Sequence, residues 1–345
     1  MGAGSGPAER MEGVALTGGW RVGAKVGPGG SRSVGYEVTG PNGEEAFLKA
    51  LDIFSAYDTD DSLAAMDEIV SSIRHERDLV DLCSGHRMSR VVRGLAQGQV
   101  KLADGEHAVF YMIFERAEGD VRHQLADIGP QESSWRLSVL HEAAVGLQQM
   151  HSHGLCHQNV KPAHLLAFGA QGVKLADLST TSMQGASAPL FDAKAPGDRA
   201  YAPPECLYDF EVAEGIEAHR ARDMYLYGSL MLFVYVEVTT TTALLLHLPR
   251  SWHPGRVGLS FQEALPHLEE AFDRVVEEEL VESAMPRGLI QSFRELCAPD
   301  PRQRGHPRTR AQRHSSPYSL ERYVSRIALE LARANRGDGQ GRRAA

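Results

Sequence analysis

The pattern of apolar residues changes once along this chain, near Gly119, and that change restricts the fold more than any single motif does. Before it, from Trp20 to about Leu51 and again in QGQVKLA and HAVFYMIFERA, apolar residues come in short runs broken by glycine-rich or Pro-Asn-Gly stretches. Such runs read as strands. The Asn42-Gly43 pair within TGPNGEE favours a tight hairpin, because such turns need positive φ. One helix is expected among these strands, from about Ser62 to Cys83, introduced by the acidic DTDD stretch that suits a helix N-terminus. Leu63, Met66, Ile69, Val70 and Ile73 recur at helical spacing and are expected to form its buried face. After Gly119 the period becomes helical. SWRLSVLHEAAVGLQQMHSHG is amphipathic and stops at Gly154. Further helices are expected near Ala221–Val236, Phe261–Ser283, Leu289–Cys297 and Leu320–Arg333. No internal repeat is present. The pattern predicts an α+β chain: a small β-rich part with one long helix, then a larger helical part.

At 345 residues, with 42% apolar and 23% charged side chains, the chain is long enough for two domains or one two-lobed domain. Its four cysteines are far apart and make no CxxC pair, which argues against a disulfide framework and for a cytosolic, reducing compartment. The first ten residues have no apolar core and do not read as a secretory signal. The longest apolar run, near Leu230–Val238, is about half of what spans a bilayer, so no membrane is expected as partner. The net charge of −9 is uneven, because residues 301–345 hold eleven arginines and three acids. Aromatic residues are few in that basic stretch, Tyr318 and Tyr323 alone, which argues against nucleic acid and for a solvated face or an internal contact.

Three stretches could carry chemistry. GPGGSRSV (27–34) lies between two expected strands, and glycines there let backbone N–H groups approach phosphates. Taken alone, a glycine-rich hairpin is the commoner reading, and no Gly-Lys-Ser/Thr follows to make a P-loop. Lys49 sits in AFLKALD on the next strand, and Glu76 in RHERDLV on the following helix could hold it. The third stretch is HSHGLCHQNVKPAHLLAFGAQGVKLADLS (151–179). His151, His153, Cys156 and His157 do not have the spacing of a known zinc motif. The favoured reading is an active-site loop followed by a β-hairpin that delivers Asp177.

Over roughly residues 20–308 the chain resembles the eukaryotic-type Ser/Thr protein kinase family. GPGGSRSV resembles its glycine-rich loop, FLKA the strand carrying the phosphate-contacting Lys49, and Glu76 the paired glutamate. MIFERAEGD resembles the hinge, with Phe114 at the gatekeeper place and Glu115 starting the hinge. HQNVKPAHLL (157–166) resembles the catalytic loop, VKLADLS the strand and D-F-G metal loop, and YAPPE (201–205) the A-P-E segment. DMYLYG (223–228) resembles the start of a buried helix, and DPRQR (300–304) a late structural motif. The resemblance implies a two-lobed kinase-like fold, with a small lobe over 19–115 and a large lobe over 116–308; by composition, a Gly/Ala-rich tail is expected over 1–18 and, by charge and apolar spacing, a basic helical extension over 309–345. It implies ATP and Mg²⁺ or Mn²⁺ as ligands. Gly27, Gly29, Gly30, Val34, Lys49, Glu76 and Glu115 would hold the nucleotide, and Asp177 and His164 a metal ion. Asn159 and Lys161 would stand at the catalytic positions. It also implies an ion pair between Arg304 and Glu205.

The departures gather on the chemistry. Asn159 stands where the family has the aspartate that accepts the substrate proton, and His164 where it has an asparagine metal ligand. Arg32 replaces the third loop glycine. Leu178 and Ser179 replace the Phe and Gly of D-F-G, and serine lacks the backbone freedom of glycine there. Gln158 replaces the arginine that receives an activation-loop phosphate. Asp198 stands where the family often has threonine. The expectation is a kinase-fold protein that binds ATP but transfers phosphate poorly and acts through a protein partner. The alternatives are an active atypical protein kinase and, third, a small-molecule phosphotransferase or AMP-transferring enzyme. In the extension, Leu320, Tyr323, Val324, Ile327 and Leu331 share one helical face, expected to pack on the large lobe.

Overall fold

The computed structural model describes residues 6–26, 33–51, 62–102, 108–129, 132–185, 197–210, 215–312 and 315–341. The chain divides into two compact units, Met1–Glu118 and Gly119–Ala345.

In the first unit, β1 (Arg21–Lys25), β2 (Ser33–Thr39), β3 (Glu45–Leu51), α1 (Ser62–Gly85), β4 (Gly94–Lys101) and β5 (Ala108–Glu115) follow in order. The strands make one antiparallel sheet, β1-β2-β3-β5-β4. The Asn42-Gly43 turn joins β2 to β3 with Thr39 opposite Glu45, and Gly43 has a φ of 84°. Directly opposed residues share a face of the sheet, and neighbours along a strand alternate. Val34 lies opposite Ala50, Tyr36 opposite Leu48 and Val38 opposite Ala46, all buried on one face. Gly35 opposite Lys49, and Glu37 opposite Phe47, belong to the other.

The first face is covered by residues that the sequence reading assigned to a loose tail, which corrects that expectation for residues 6–18. Two short 3₁₀ turns, Pro7–Arg10 and Thr17–Gly19, flank Met11 and Leu16. Ala8, Met11, Leu16 and Trp20 join Val34, Tyr36, Leu48, Ala50, Tyr111 and Ile113 in one apolar cluster. The Tyr36 hydroxyl donates to the Ala8 carbonyl at 2.8 Å, and Thr17 Oγ1 lies 2.8 Å from the Tyr111 hydroxyl. An apolar sheet face must be covered, and fully burying Met11 contributes about 1.5–3 kcal/mol. The segment was missed because it has neither a helical nor a strand period.

Helix α1 also departs from expectation. Leu63 is 83% exposed, Met66, Val70 and Ile73 are half-buried, and the buried stripe is Ile69, Glu76, Leu79, Val80 and Cys83. The helix meets β4 near its C-terminal end, where the Gln97 amide donates to Asp81 and Val80 lies against Gly94, so its first turns have little sheet to cover.

The second unit opens with β6 (Gly119–Asp120) and α2 (Val121–Asp127), where the Asp120 side chain caps the helix by accepting from the His123 N–H at 2.9 Å. It continues through α3 (Ser133–Ser152), β7 (Leu155–Cys156), β8 (Leu165–Ala167), β9 (Val173–Leu175) and β10 (Ser182–Met183). Then come α4 (Pro204–Leu207), α5 (Ile216–Val236), α6 (Thr240–His247), α7 (Phe261–Arg274), α8 (Arg287–Leu296), α9 (Pro307–Arg310) and α10 (Glu321–Gly341). Strands β6, β8 and β9 make a small antiparallel sheet, and β7 pairs with β10. Helices α3 and α5 supply much of the core through Leu140, Leu147, Met150, Leu226 and Leu230. Helix α10 packs on α3 and α8, with Leu320 just before it and Tyr323 and Ile327 in it buried. The extension's apolar face is therefore part of this core. All four cysteines are free and buried. No single helix among the described residues is long and apolar enough to cross a membrane.

Candidate active site

In the first unit, strand alternation points Lys49 toward α1, where Glu76 meets it. The Lys49 ammonium donates to both carboxylate oxygens of Glu76, at 2.8 and 2.9 Å. Glu76 is 4% exposed. A buried carboxylate needs such a partner, and a lysine held at both oxygens has its ammonium fixed in place. Val34 is not beside this pair. It lies on the opposite face, so Gly35 is the β2 residue across from Lys49. That corrects the nucleotide-contact role expected of Val34. Counting from the glycines cannot fix which face a strand residue takes, because a one-residue slip inverts it. Phe114 is buried, and the Glu115 carboxylate accepts from the Arg93 N–H at 2.9 Å, fastening the end of β5 to the residue before β4. Gly27, Gly29, Gly30 and Arg32 lie outside the described residues.

In the second unit, the loop between β7 and β8 is held from below by Asp223 of α5. Its Oδ2 accepts from the His157 N–H at 2.8 Å, and its Oδ1 from the Gln158 N–H at 2.7 Å and the Gln158 side-chain amide at 3.0 Å. His151 Nε2 lies 2.8 Å from Oδ2. Burial pushes the Asp223 carboxyl up, but the His151 hydrogen bond, nearby histidines and the Gln158 N–H more than reverse this and hold it below the ordinary range. His151, Cys156 and Asp223 do lie within ligand distance of one another, yet this many donors to one aspartate make a hydrogen-bond hub. Gln158 takes a left-handed φ of 64° and turns inward, donating to the His219 carbonyl and accepting from Arg222.

His157 is fully buried. Its Nε2–H donates to the Ala176 carbonyl at 3.0 Å, which leaves Nδ1 to accept from the Asn159 N–H at 3.3 Å. The ring thus joins the loop between β7 and β8 to the residue before Asp177. Asn159 is 9% exposed, and its carbonyl accepts from His164 Nδ1 at 3.0 Å. That bond fixes the His164 tautomer and turns the Nε2 lone pair toward Asp177 Oδ2, 3.4 Å away. Burial pushes the His164 pKa down to about 4, so the ring is neutral at pH 7.

Asp177 has a left-handed φ of 61°, which aspartate tolerates better than most residues. The Ser179 hydroxyl donates to Asp177 Oδ1 at 2.7 Å. Ser179 itself stays at negative φ, so glycine's backbone freedom is not needed here and the hydroxyl instead orients the carboxylate. Leu178 is buried. Lys161 pairs with Asp198, Nζ to Oδ2 at 3.6 Å. Against Ala221 and Tyr225 of α5, Arg304 lies fully buried, its two terminal nitrogens 2.5 and 2.6 Å from the two Glu205 oxygens, as the resemblance implied.

His164 and Asp177 offer one imidazole nitrogen and one carboxylate oxygen at a separation two ligands of one ion can have: ligand bonds near 2.1 Å at about right angles put the donor atoms roughly 3 Å apart. A metal-binding imidazole ordinarily donates its other N–H to a carbonyl or carboxylate, as His164 does to Asn159. The donor set fits a divalent cation. It fits Mg²⁺, which prefers oxygen throughout, less well than a softer ion.

The protein kinase domain family matches residues 20–247, about two thirds of the chain. The chain belongs to the protein kinase family. Among curated proteins it is similar to the serine/threonine-protein kinase grp of Drosophila melanogaster, 26% identical over 181 residues, covering 52% of this chain and 31% of that protein. It is also similar to the "Probable serine/threonine-protein kinase KCC4" of Saccharomyces cerevisiae, 30% identical over 98 residues, or 28% of this chain and 9% of the relative. The matches thus span a third or less of these relatives' lengths.

Proposed function

We propose that this kinase-fold chain binds a nucleoside triphosphate with a divalent cation, transfers its γ-phosphate slowly, and acts chiefly through a protein partner that responds to the bound state. The observation that carries the first part is the two-oxygen Lys49–Glu76 pair, which keeps an ammonium ready for phosphate oxygens. A bound cation would offset the negative charge of the phosphates. Asp177 and His164 would hold it, with Ser179 orienting the aspartate. Asn159 supports the second part. Its amide oxygen accepts a hydrogen bond but takes up no proton near neutral pH, and loss of a general base costs on the order of 10²–10⁴ in rate.

A second reading, an active atypical protein kinase acting on protein hydroxyls, is favoured by the Lys161–Asp198 pair, which brings another carboxylate to the catalytic loop.

The metal assignment is tested by melting-temperature shifts with a non-hydrolysable ATP analogue. Stabilisation is expected to be larger with Mn²⁺ than with Mg²⁺. His164→Asn, which restores an oxygen donor, is expected to reverse that order. Equal shifts with both ions in both proteins would remove His164 from the metal site.

A further inference from the structure

With Asn159 unable to take a proton, the question is whether another carboxylate reaches the same place. Most acids near the loop are committed elsewhere. Asp223 is buried under its N–H donors, Glu205 is paired with Arg304, and Asp177 is oriented by Ser179 beside His164. Asp198 differs. Its side chain is 42% exposed, its Oδ2 faces Lys161 Nζ at 3.6 Å, and its Oδ1 accepts from the Ala200 N–H at 3.0 Å. One oxygen is thus anchored while the other is turned to the catalytic loop.

The residue before it explains the approach. Gly197 has a left-handed φ of 95°, and a Cβ built on it would lie 3.0 Å from Asn159 Oδ1 and 3.4 Å from the Gln158 carbonyl. Any side chain at 197 would press on the Asn159 amide. Glycine lets the backbone pass directly against that amide, and the next residue then carries its carboxylate to Lys161. Asn159, Gly197, Asp198 and Lys161 therefore form one contiguous group within the second unit. It contains an amide at the loop position and an ionisable carboxylate one residue beyond the contact.

We propose that Asp198 is the proton acceptor for the residual phosphoryl transfer of this chain, the base having moved from the catalytic loop to the segment that crosses it. The inference rests on the nucleotide-binding reading above. The acceptor is a serine or threonine hydroxyl of a protein, and the phosphate donor is ATP. As the hydroxyl oxygen forms its bond to the γ-phosphorus, its proton passes to Asp198 Oδ2. The bond from the γ-phosphorus to the β–γ bridging oxygen breaks, and its electron pair leaves with ADP. Asp198 then returns the proton to solvent. Lys161 steadies the carboxylate and remains close enough to meet the transferring phosphate.

The test uses the full chain, labelled ATP, Mn²⁺ and casein as acceptor, with autophosphorylation followed in parallel. Asp198→Asn is expected to lower the transfer rate about 10²-fold while the melting shift caused by ATP persists. Asn159→Asp should rescue Asp198→Asn to at least the parent rate. An Asp198→Asn variant as fast as the parent overturns the proposal. So does a slow variant that Asn159→Asp fails to rescue, because Asp198 would then only position Lys161. A parent that ATP stabilises but that transfers no phosphate overturns the role of Asp198 and leaves nucleotide binding standing. Absence of any ATP-dependent shift removes the nucleotide reading and this inference with it.

Discussion

Arg304→Ala is expected to lower the melting temperature of the helical unit by about 10 °C. The guanidinium is fully buried, meets both Glu205 oxygens and lies over the Tyr225 ring, 4.9 Å from its centroid. Its remaining donors reach the Ala298, Pro299 and Ala221 carbonyls. Removing it leaves the Glu205 carboxylate, itself 6% exposed, without its partner. Breaking a buried pair in this way costs about 3–5 kcal/mol, mostly because the surviving charge is stranded. In a domain of 150–250 residues each kcal/mol moves the melting temperature roughly 2–4 °C. Calorimetry of the parent, Arg304→Ala and the double variant Arg304→Met/Glu205→Leu separates the causes. The double variant is expected to recover much of the loss, since it strands no charge. A single variant within about 2 °C of the parent would show that this pair does not organise the unit.

Asn159→Asp is expected to raise the phosphoryl-transfer rate roughly 10²-fold, the low end of what a general base contributes and about 3 kcal/mol in barrier. The low end applies if Asp198 supplies part of that function, as proposed above. The exchange is isosteric. The backbone bonds of residue 159 to His157 and His164 do not depend on its side chain, and Lys161 stands ready to offset the added charge. Single-turnover transfer from labelled ATP measures the effect. A rate unchanged or lowered in Asn159→Asp would mean that proton acceptance at this position does not limit the reaction.

The parts of this molecule readable from sequence were those set by fixed spacing or by charge. The Lys49–Glu76 and Arg304–Glu205 pairs could be named in advance because a buried charge demands an opposite one, and the kinase resemblance said which. The face of Val34 was not readable, because the strand period is two and one residue of slip inverts it. Residues 6–18 read as a tail because Ala8, Met11 and Leu16 have no period, although the sheet needed a cover. Leu63 looked buried by spacing alone, but spacing does not say where along a helix the sheet ends. The roles of Ser179 and Asp198 depend on which oxygen faces which donor, and a sequence holds no such distances. Ser179 read as a loss of glycine, yet it gains a hydroxyl that orients Asp177.

The central claim is that this chain holds a nucleoside triphosphate through the ammonium that Glu76 positions. Titration calorimetry of the full chain with the non-hydrolysable ATP analogue and Mn²⁺, run beside Lys49→Ala, tests it directly. The account predicts one-to-one binding by the parent and at least a tenfold weaker affinity in the variant, roughly 1.4 kcal/mol. Absence of binding heat in the parent across several temperatures, or equal affinity in the two proteins, would contradict it.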